Sequence, residues 1–409
     1  MKGLWMTNKD DKTLGMTSVS KGKRRVCVIT STFGEGVGQV LLSKFLKVLE
    51  PICEKLNVIT GTFENEIVSK KISITRLNTH EDRRTSLKIL KFIVSQVKVC
   101  WHLLKVRKDI DVVMFYINSG SLTLSIMLAK ILKKKVVLIV SASDSEMASI
   151  IYRDYLFGIG GRVVVPIYRA LEKINRVFSD RIIVDSEKIA RDYVSGNYRH
   201  KVVVASDRRF IDADAFTVKR KLEERRNLVG YIGRLSYEKG VMNLVKAIPL
   251  VLKKRSDLEF LIGGDGPLLI KLQEEITKAG LDNKVNFVGW IPNDELANWL
   301  NELKLLVLPS YTEGLPNIVL EAMACGTPVL VTPVGALPDI IRDKETGFIM
   351  KDNTPNCIAE NIITALQYPK LDEIVTKARQ LVAEKYTYET AVGRYKEILN
   401  SLGQLKKKD

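Results

Sequence analysis

LKLLVLPSYTEGLPNIVLEAMACGTPVL, residues 303–330, contains a strand, a turn, a helix and the start of a second strand. LKLLVLPS is a continuous apolar run, the signature of a strand buried on both faces, and PVLVTP repeats that signature after the intervening segment. Pro316 favours a first helical turn, because its missing N–H would have no partner there, so NIVLEAMA is predicted to run helically from about that point. Strand, helix and strand in this order form a parallel crossover unit. Two carboxylates flank the helix start. Glu313 precedes it, and Glu321 lies about five residues inside, ~7.5 Å along the axis at ~1.5 Å per residue. Between them the first turn offers unpaired N–H groups and the positive end of the helix dipole, which together attract phosphate.

The same alternation extends in both directions. LVGYIG, LEFLIGG, VNFVGW and GFIM are further strands of the second half. RVCVIT (25–30), NVIT (57–60), DVVMFYI (111–117), KVVLIVS (135–141), DRIIVDS (180–186) and KVVVAS (201–206) are strands of the first. Helical patterns separate them, so the fold class is α/β, with two Rossmann-like doubly wound domains in tandem. A chain of 409 residues also exceeds what one core usually holds. The expected division is a flexible basic tail (1–23), a first domain (24–206), a polar linker with no core-facing period (207–227), a second domain (228–385) and a C-terminal helix returning to the first (386–409). Ligands of doubly wound sheets bind beyond the carboxyl ends of the strands, which places the default site in the cleft between the two domains.

Five cysteines, scattered and without CxxC spacing, argue against a disulfide framework and a zinc site, and a reducing cytoplasm fits them. No signal-peptide core and no run of eighteen apolar residues occurs. The net charge of +17 is unevenly spread. Residues 1–205 hold 35 Lys and Arg against 19 Asp and Glu, net +16, and residues 206–409 hold 29 against 28, net +1. Such a basic half suits an anionic membrane, a phosphorylated substrate or nucleic acid. For nucleic acid, no recognition fold, aromatic-rich sheet signature or zinc spacing accompanies the charge.

VGYIGRLSYEKG, at the start of the second half, places Arg234 just after a strand and Lys239 five residues on, in a loop whose glycines permit close approach. Two cations in that setting suit a diphosphate. With the helix start after Glu313 they read as a nucleotide-sugar site, one acid on ribose hydroxyls and the other on the sugar. A glycosidase also uses paired carboxylates and is the rival reading, but it requires them to flank a single bond. The triplets Asp109–Asp111 and Asp212–Asp214 have the spacing of a metal-binding DxD motif. The first opens a strand and the second lies in the linker, so both read as turn chemistry, and no metal site is predicted.

GRLSYEKG, IGGDGP, VNFVGW, LVLPSYTEGLPNIVLEAMACGTPVL and PVGALPDII together resemble family 4 of the retaining glycosyltransferases, of the two-domain GT-B fold, closely over about 228–350 and loosely over 24–205. The resemblance implies that Arg234 and Lys239 bind the diphosphate, that Glu313 contacts the transferred sugar, and that Glu321 holds the ribose. It implies that Gly314, Leu315, Pro316 and Asn317 present backbone N–H groups to phosphate and sugar, and that Gly264, Asp265 and Gly289 surround the nucleoside. In STFGEGVGQ, Gly34, Gly36 and Gly38 fall in the family's glycine-rich turn near donor phosphates or acceptor. The chain departs from the pattern in three places. Ser143 or Asp144 stands where many members carry a His, SDRRFIDADAF replaces an Asn-Gly-Val-Asp turn, and Ala336 and Asp339 stand where Gly and Glu are common.

The implied enzyme takes a nucleoside diphosphate sugar on the second domain without a metal and transfers with retention to an acceptor on the first. The basic first half points to a lipid-linked or cell-surface glycan precursor at the cytoplasmic face of the membrane, with a small soluble phosphorylated acceptor as the alternative. LKILKFIVSQVKVCWHLLKVRKD (87–109) and YRDYLFGIGGRVVVPIYRALEKINR (152–176) mix cations with aromatic and aliphatic residues, as do both packing helices with a solvated cationic face and interfacial helices.

Overall fold

The computed structural model describes residues 23–30, 37–61, 63, 69–77, 85–116, 122–141, 145, 159–194, 196–205 and 210–403. The first half forms a parallel sheet of β1 (Arg24–Thr30), β2 (Cys53–Thr60), β3 (Ile72–Arg76), β4 (Val112–Tyr116), β5 (Lys135–Val140), β6 (Arg181–Val184) and β7 (Val202–Val204). Their order is β3-β2-β1-β4-β5-β6-β7. The second half forms a parallel sheet of β8 (Leu228–Ile232), β9 (Glu259–Gly263), β10 (Val285–Gly289), β11 (Leu305–Leu308), β12 (Val329–Val331) and β13 (Phe348–Ile349), ordered β10-β9-β8-β11-β12-β13. In each sheet the first strand has neighbours on both sides, so the connections run outward in both directions and leave a switch point at β1/β4 and at β8/β11.

Strands at the centre bury both faces, which is why they read as unbroken apolar runs: β4, β8 and β11 are buried at every position. The edge strand β3, ISITR, is half-exposed and has no such run, and the sequence reading does not contain it.

Helices α1 (Val37–Leu49), α2 (Thr85–Val106), α3 (Thr123–Ile131), α4 (Ile159–Phe178) and α5 (Glu187–Tyr193) belong to the first half. The second half carries α6 (Val241–Leu252), α7 (Leu269–Lys278), α8 (Asn293–Glu302), α9 (Asn317–Ala324), α10 (Leu337–Ile340), α11 (Pro355–Leu366), α12 (Leu371–Lys385) and α13 (Tyr388–Ser401). Alternation along the strands sorts the cores. Val26, Val28, Val112 and Met114 meet Phe45 of α1 and Tyr395 and Ile398 of α13 on one face of the first sheet. Cys27, Ile29, Val113 and Phe115 belong to a second cluster with Leu103 of α2 and Ile126 of α3. The last helix therefore packs on the first half, its Tyr395 ring edge-on to Phe45 at 5.3 Å.

The stretch after β7 differs from the polar linker expected of it. Ile211 and Phe216 are buried, and the Ile211 amide donates to the Tyr386 carbonyl at 2.8 Å. Arg225 is buried too, its guanidinium donating to the carbonyls of Arg220, Leu300, Leu303 and Cys325 and to the Thr327 hydroxyl. One buried cation thus ties the stretch to the ends of α8 and α9. The five cysteines are free thiols, and burial pushes those of Cys27, Cys53 and Cys325 up to about 12.

Candidate functional site

The switch point of the second sheet is built from the two loops singled out by sequence. After β8, the Gly233 amide bonds the Gly263 carbonyl at 3.0 Å and the buried Tyr231 hydroxyl donates to the Arg234 carbonyl at 2.7 Å. Burial, followed by the nearby charges of Glu313 and Glu238, holds the Tyr231 phenol well above its ordinary pKa, so it stays a donor there. A short 3-10 turn, Tyr237–Lys239, then ends at Gly240, whose φ of +66° is left-handed. A Cβ at Gly240 would lie 1.9 Å from the Pro309 carbonyl oxygen, so the absence of a side chain lets this loop touch the one after β11. The Tyr311 amide bonds the Glu238 carbonyl at 2.9 Å and completes the clasp.

Glu313 sits in the second of these loops, nearly buried. Its Oε2 accepts from Lys239 Nζ at 2.8 Å and its Oε1 from the Ser310 hydroxyl at 2.8 Å. The Ser310 carbonyl in turn accepts from the Thr332 hydroxyl at 2.6 Å. Gly335, with φ +57°, lies against this turn, where an added Cβ would stand 1.8 Å from the Glu313 carbonyl oxygen. The next amide, Ala336, donates to the Gly314 carbonyl at 2.9 Å. Ala336 and Asp339, which together make the third departure from the family pattern, have structural contacts here: Ala336 is fully buried and Asp339 accepts from the Lys188 amide of the first half at 3.3 Å.

α9 begins at Asn317, with Pro316 just outside in the N-cap position, where its side chain makes no capping hydrogen bond. The helix thus covers the NIVLEAMA that the sequence predicts, with Pro316 immediately before it. Leu315 is buried, so any contact it makes with a ligand is through its backbone. Glu321, in the second turn of α9, is buried, and its Oε1 lies 3.9 Å from Lys44 Nζ of α1. Gly314 faces the first half as well, since a Cβ there would lie 2.7 Å from the Ser141 carbonyl oxygen at the end of β5. The carboxyl ends of the two sheets therefore oppose each other across the site.

Gly264, Asp265 and Gly289 gather at the ends of β9 and β10. The Gly264 amide bonds the Gly289 carbonyl at 2.6 Å, the Asp265 carbonyl accepts from the Leu235 amide at 2.9 Å, and a Cβ at Gly264 would meet the Gly233 carbonyl oxygen at 1.9 Å. The structure thus brings Lys239 into direct contact with Glu313, four residues before α9 begins, and sets the predicted nucleoside loops beside the loop that carries Lys239. Arg234 is exposed next to this cluster. Gly34, Gly36, Ser143 and Asp144 lie outside the described residues, and Gly38 falls in the first turn of α1.

Ser310 and Lys44 are absent from the sequence-derived set. Lys44 is one of two cations in the apolar helix LLSKFLKVL, with a side chain only 13% exposed, and a cation in such a position was the available signal. The DxD triplets are engaged elsewhere. Asp111 pairs with Arg25 at 2.8 Å, Asp109 with Lys55 at 3.3 Å, and Asp212 Oδ1 accepts the amides of Asp214 and Ala215 in its own turn.

Two doubly wound sheets, opposed at their carboxyl ends with a cation, a carboxylate and a helix start at one switch point, define the GT-B architecture. Residues 212–381 match the family described as glycosyl transferases group 1. Among curated relatives, the chain is 30% identical over 209 residues to the alpha-D-kanosaminyltransferase of Streptomyces kanamyceticus, covering 49% of this chain and 54% of that protein. It is 30% identical over 177 residues to the D-inositol 3-phosphate glycosyltransferase of Streptomyces scabiei, covering 41% and 40%. The matches span about half the length of such relatives, or less. The fold as a whole is similar to that of Anabaena Alr3699/HepE, solved in complex with UDP and glucose, with a TM-score of 0.71 over 92% of this chain and 100% of that one at 15% identity.

Proposed function

We propose that the chain is a retaining glycosyltransferase that moves a sugar from a nucleoside diphosphate sugar to an acceptor hydroxyl. The observation that carries this reading is the contact of Lys239 with Glu313 in the loop that leads into α9. In this reading Arg234, Lys239 and the first-turn N–H groups of α9 receive the diphosphate, where negative charge grows as the sugar bond breaks. Glu313 holds Lys239 in place and meets the sugar hydroxyls, and Glu321 takes the ribose. The nucleoside lies along Gly264, Asp265 and Gly289. Neither glutamate is asked to carry a proton, because Glu313 is already engaged by a cation and a hydroxyl and Glu321 faces Lys44. This speaks against the hydrolase reading, which needs one of them as a general acid.

The departing diphosphate is neutralised by these groups without a metal, and the acceptor oxygen attacks from the face that the leaving phosphate vacates. The acceptor binds the first domain and is a lipid-linked or cell-surface glycan precursor at the cytoplasmic face of the membrane, where the net charge of +16 in residues 1–205 meets anionic headgroups. A small phosphorylated acceptor is the second reading, favoured by the same charge and by the acceptor named for the D-inositol 3-phosphate relative. NMR of the product tests the mechanism: the donor's anomeric configuration is expected to be kept, and inversion would overturn it. Transfer is expected to persist in EDTA; loss that a divalent ion restores would refute the metal-free role given to Arg234 and Lys239.

A further inference from the structure

Helices α2, α3 and α4 lie side by side, α3 packing against both of the others. α3 turns Ser125, Ile126 and Ala129 inward, and α2 does the same with Val99 and Leu103. The outward faces remain apolar. Val97, Trp101 and Leu104 on α2 repeat at helical spacing, as do Leu124, Met127 and Ile131 on α3, and all six are exposed, Ile131 by 74% and Val97 by 59%. α4 continues the surface with Ile167 and Val177.

The charges between these residues are of one sign. α2 and α3 contain no acidic residue, and α4 contains one, Glu172, which is buried and accepts from the amide and hydroxyl of Ser145 at 3.1 and 3.0 Å. Exposed cations are interleaved with the apolar stripes: Lys98 and Lys105 on α2, Lys133 just after α3, Arg169 and Lys173 on α4. The Lys105 ammonium stands over the Trp101 ring at 3.2 Å from its centroid. Among the described residues, no helix is long and apolar enough to cross a membrane.

We infer that the α2–α3–α4 face docks on an anionic lipid bilayer. Aliphatic and aromatic side chains flanked by Lys and Arg on a surface-lying helix insert shallowly while the cations meet headgroups. The charge selects this occupant over a second copy of the chain, because a two-fold contact would oppose cations to cations. The assignment deepens the lipid-linked acceptor reading and rests on it: the face belongs to the acceptor half, so docking would hold the cleft beside a membrane-embedded acceptor.

The test is flotation with phosphatidylcholine vesicles prepared with and without phosphatidylglycerol. The full chain is expected to float only with the anionic vesicles, and less so as salt rises. Val97→Ser, Trp101→Ser and Ile131→Ser combined should weaken binding about tenfold or more. Ile270→Ser should not, although Ile270 on α7 is 71% exposed. Circular dichroism and a nucleoside diphosphate thermal shift on each variant establish that it is folded. No flotation at low salt, or equal flotation by the triple variant, overturns the docking face; so does a change of oligomeric state in that variant without vesicle binding. Vesicle binding with no nucleotide effect would instead remove the donor-site reading and leave the docking face standing.

Discussion

Gly335→Ala is the substitution whose consequence the geometry fixes most closely. The new Cβ would stand 1.8 Å from the Glu313 carbonyl oxygen, whereas real Cβ contacts stay beyond 3.0 Å, so the Glu313 turn must retreat by about 1.2 Å, the difference of the two. Glu313 carries the Lys239 contact at 2.8 Å, which that shift would break or lengthen past hydrogen-bond range. A misplacement of about 1 Å in a positioned group costs roughly 10²-fold in rate. The left-handed φ adds about 1–2 kcal/mol of strain for a residue with a side chain. Gly280→Ala is the matched control, with φ +66° but nothing within 4 Å of the added Cβ, so it should lose only the stability that the left-handed strain costs, about 1–2 kcal/mol, and no turnover. The assay is nucleoside diphosphate release from the donor, with urea denaturation run in parallel. If Gly335→Ala kept near-normal release while losing stability, the claim that this turn positions Glu313 and Lys239 would be refuted.

Arg225→Met should lower stability by about 3–5 kcal/mol, because it strands the carbonyls of Leu300, Leu303 and Cys325 in a buried place. Arg225→Lys should not restore it, since an ammonium lacks the planar fork those acceptors surround; a loss under about 1 kcal/mol in urea would contradict this. Acid should weaken the first half through Asp180. Burial alone would raise this carboxyl, but the Val136 amide at 2.8 Å, Lys130 at 2.9 Å and Lys135 at 3.5 Å outweigh it and hold the pKa below the ordinary carboxylate value. Its stabilisation is therefore present above the unfolded carboxylate pKa, about 4, and is lost as pH falls through the lower folded value. Asp180→Asn should flatten the dependence of Tm on pH in that window, and an unchanged slope would remove Asp180 from the account.

The strands were legible because a parallel strand covered by helices on both faces is a plain apolar run, and LVGYI, LLVL and RVCVIT are such runs. ISITR was not, because an edge strand half in water carries polar residues at alternate positions. The stretch after β7 was misread for a related reason. Ile211, Phe216 and Arg225 are buried one at a time by irregular chain, so they follow neither a helical nor a strand period. Within the site, the EGLPN turn and the EKG loop were readable because a proline and glycines fix where the backbone turns. Ser310 and Lys44 gain their contacts with the two glutamates only in the folded chain, and for Lys44 that contact crosses from one sheet's helices to the other's.

The central claim is a diphosphate site on the second domain. Calorimetric titration of UDP, GDP and ADP into the full chain, Arg234→Ala and Lys239→Ala tests it directly. One nucleotide is expected to bind the parent chain, and each substitution to weaken it by about 1.5–3 kcal/mol, roughly ten- to a hundredfold, as a charge-assisted hydrogen bond to phosphate is lost. Binding of none of the three, or equal binding by both variants, would contradict the account.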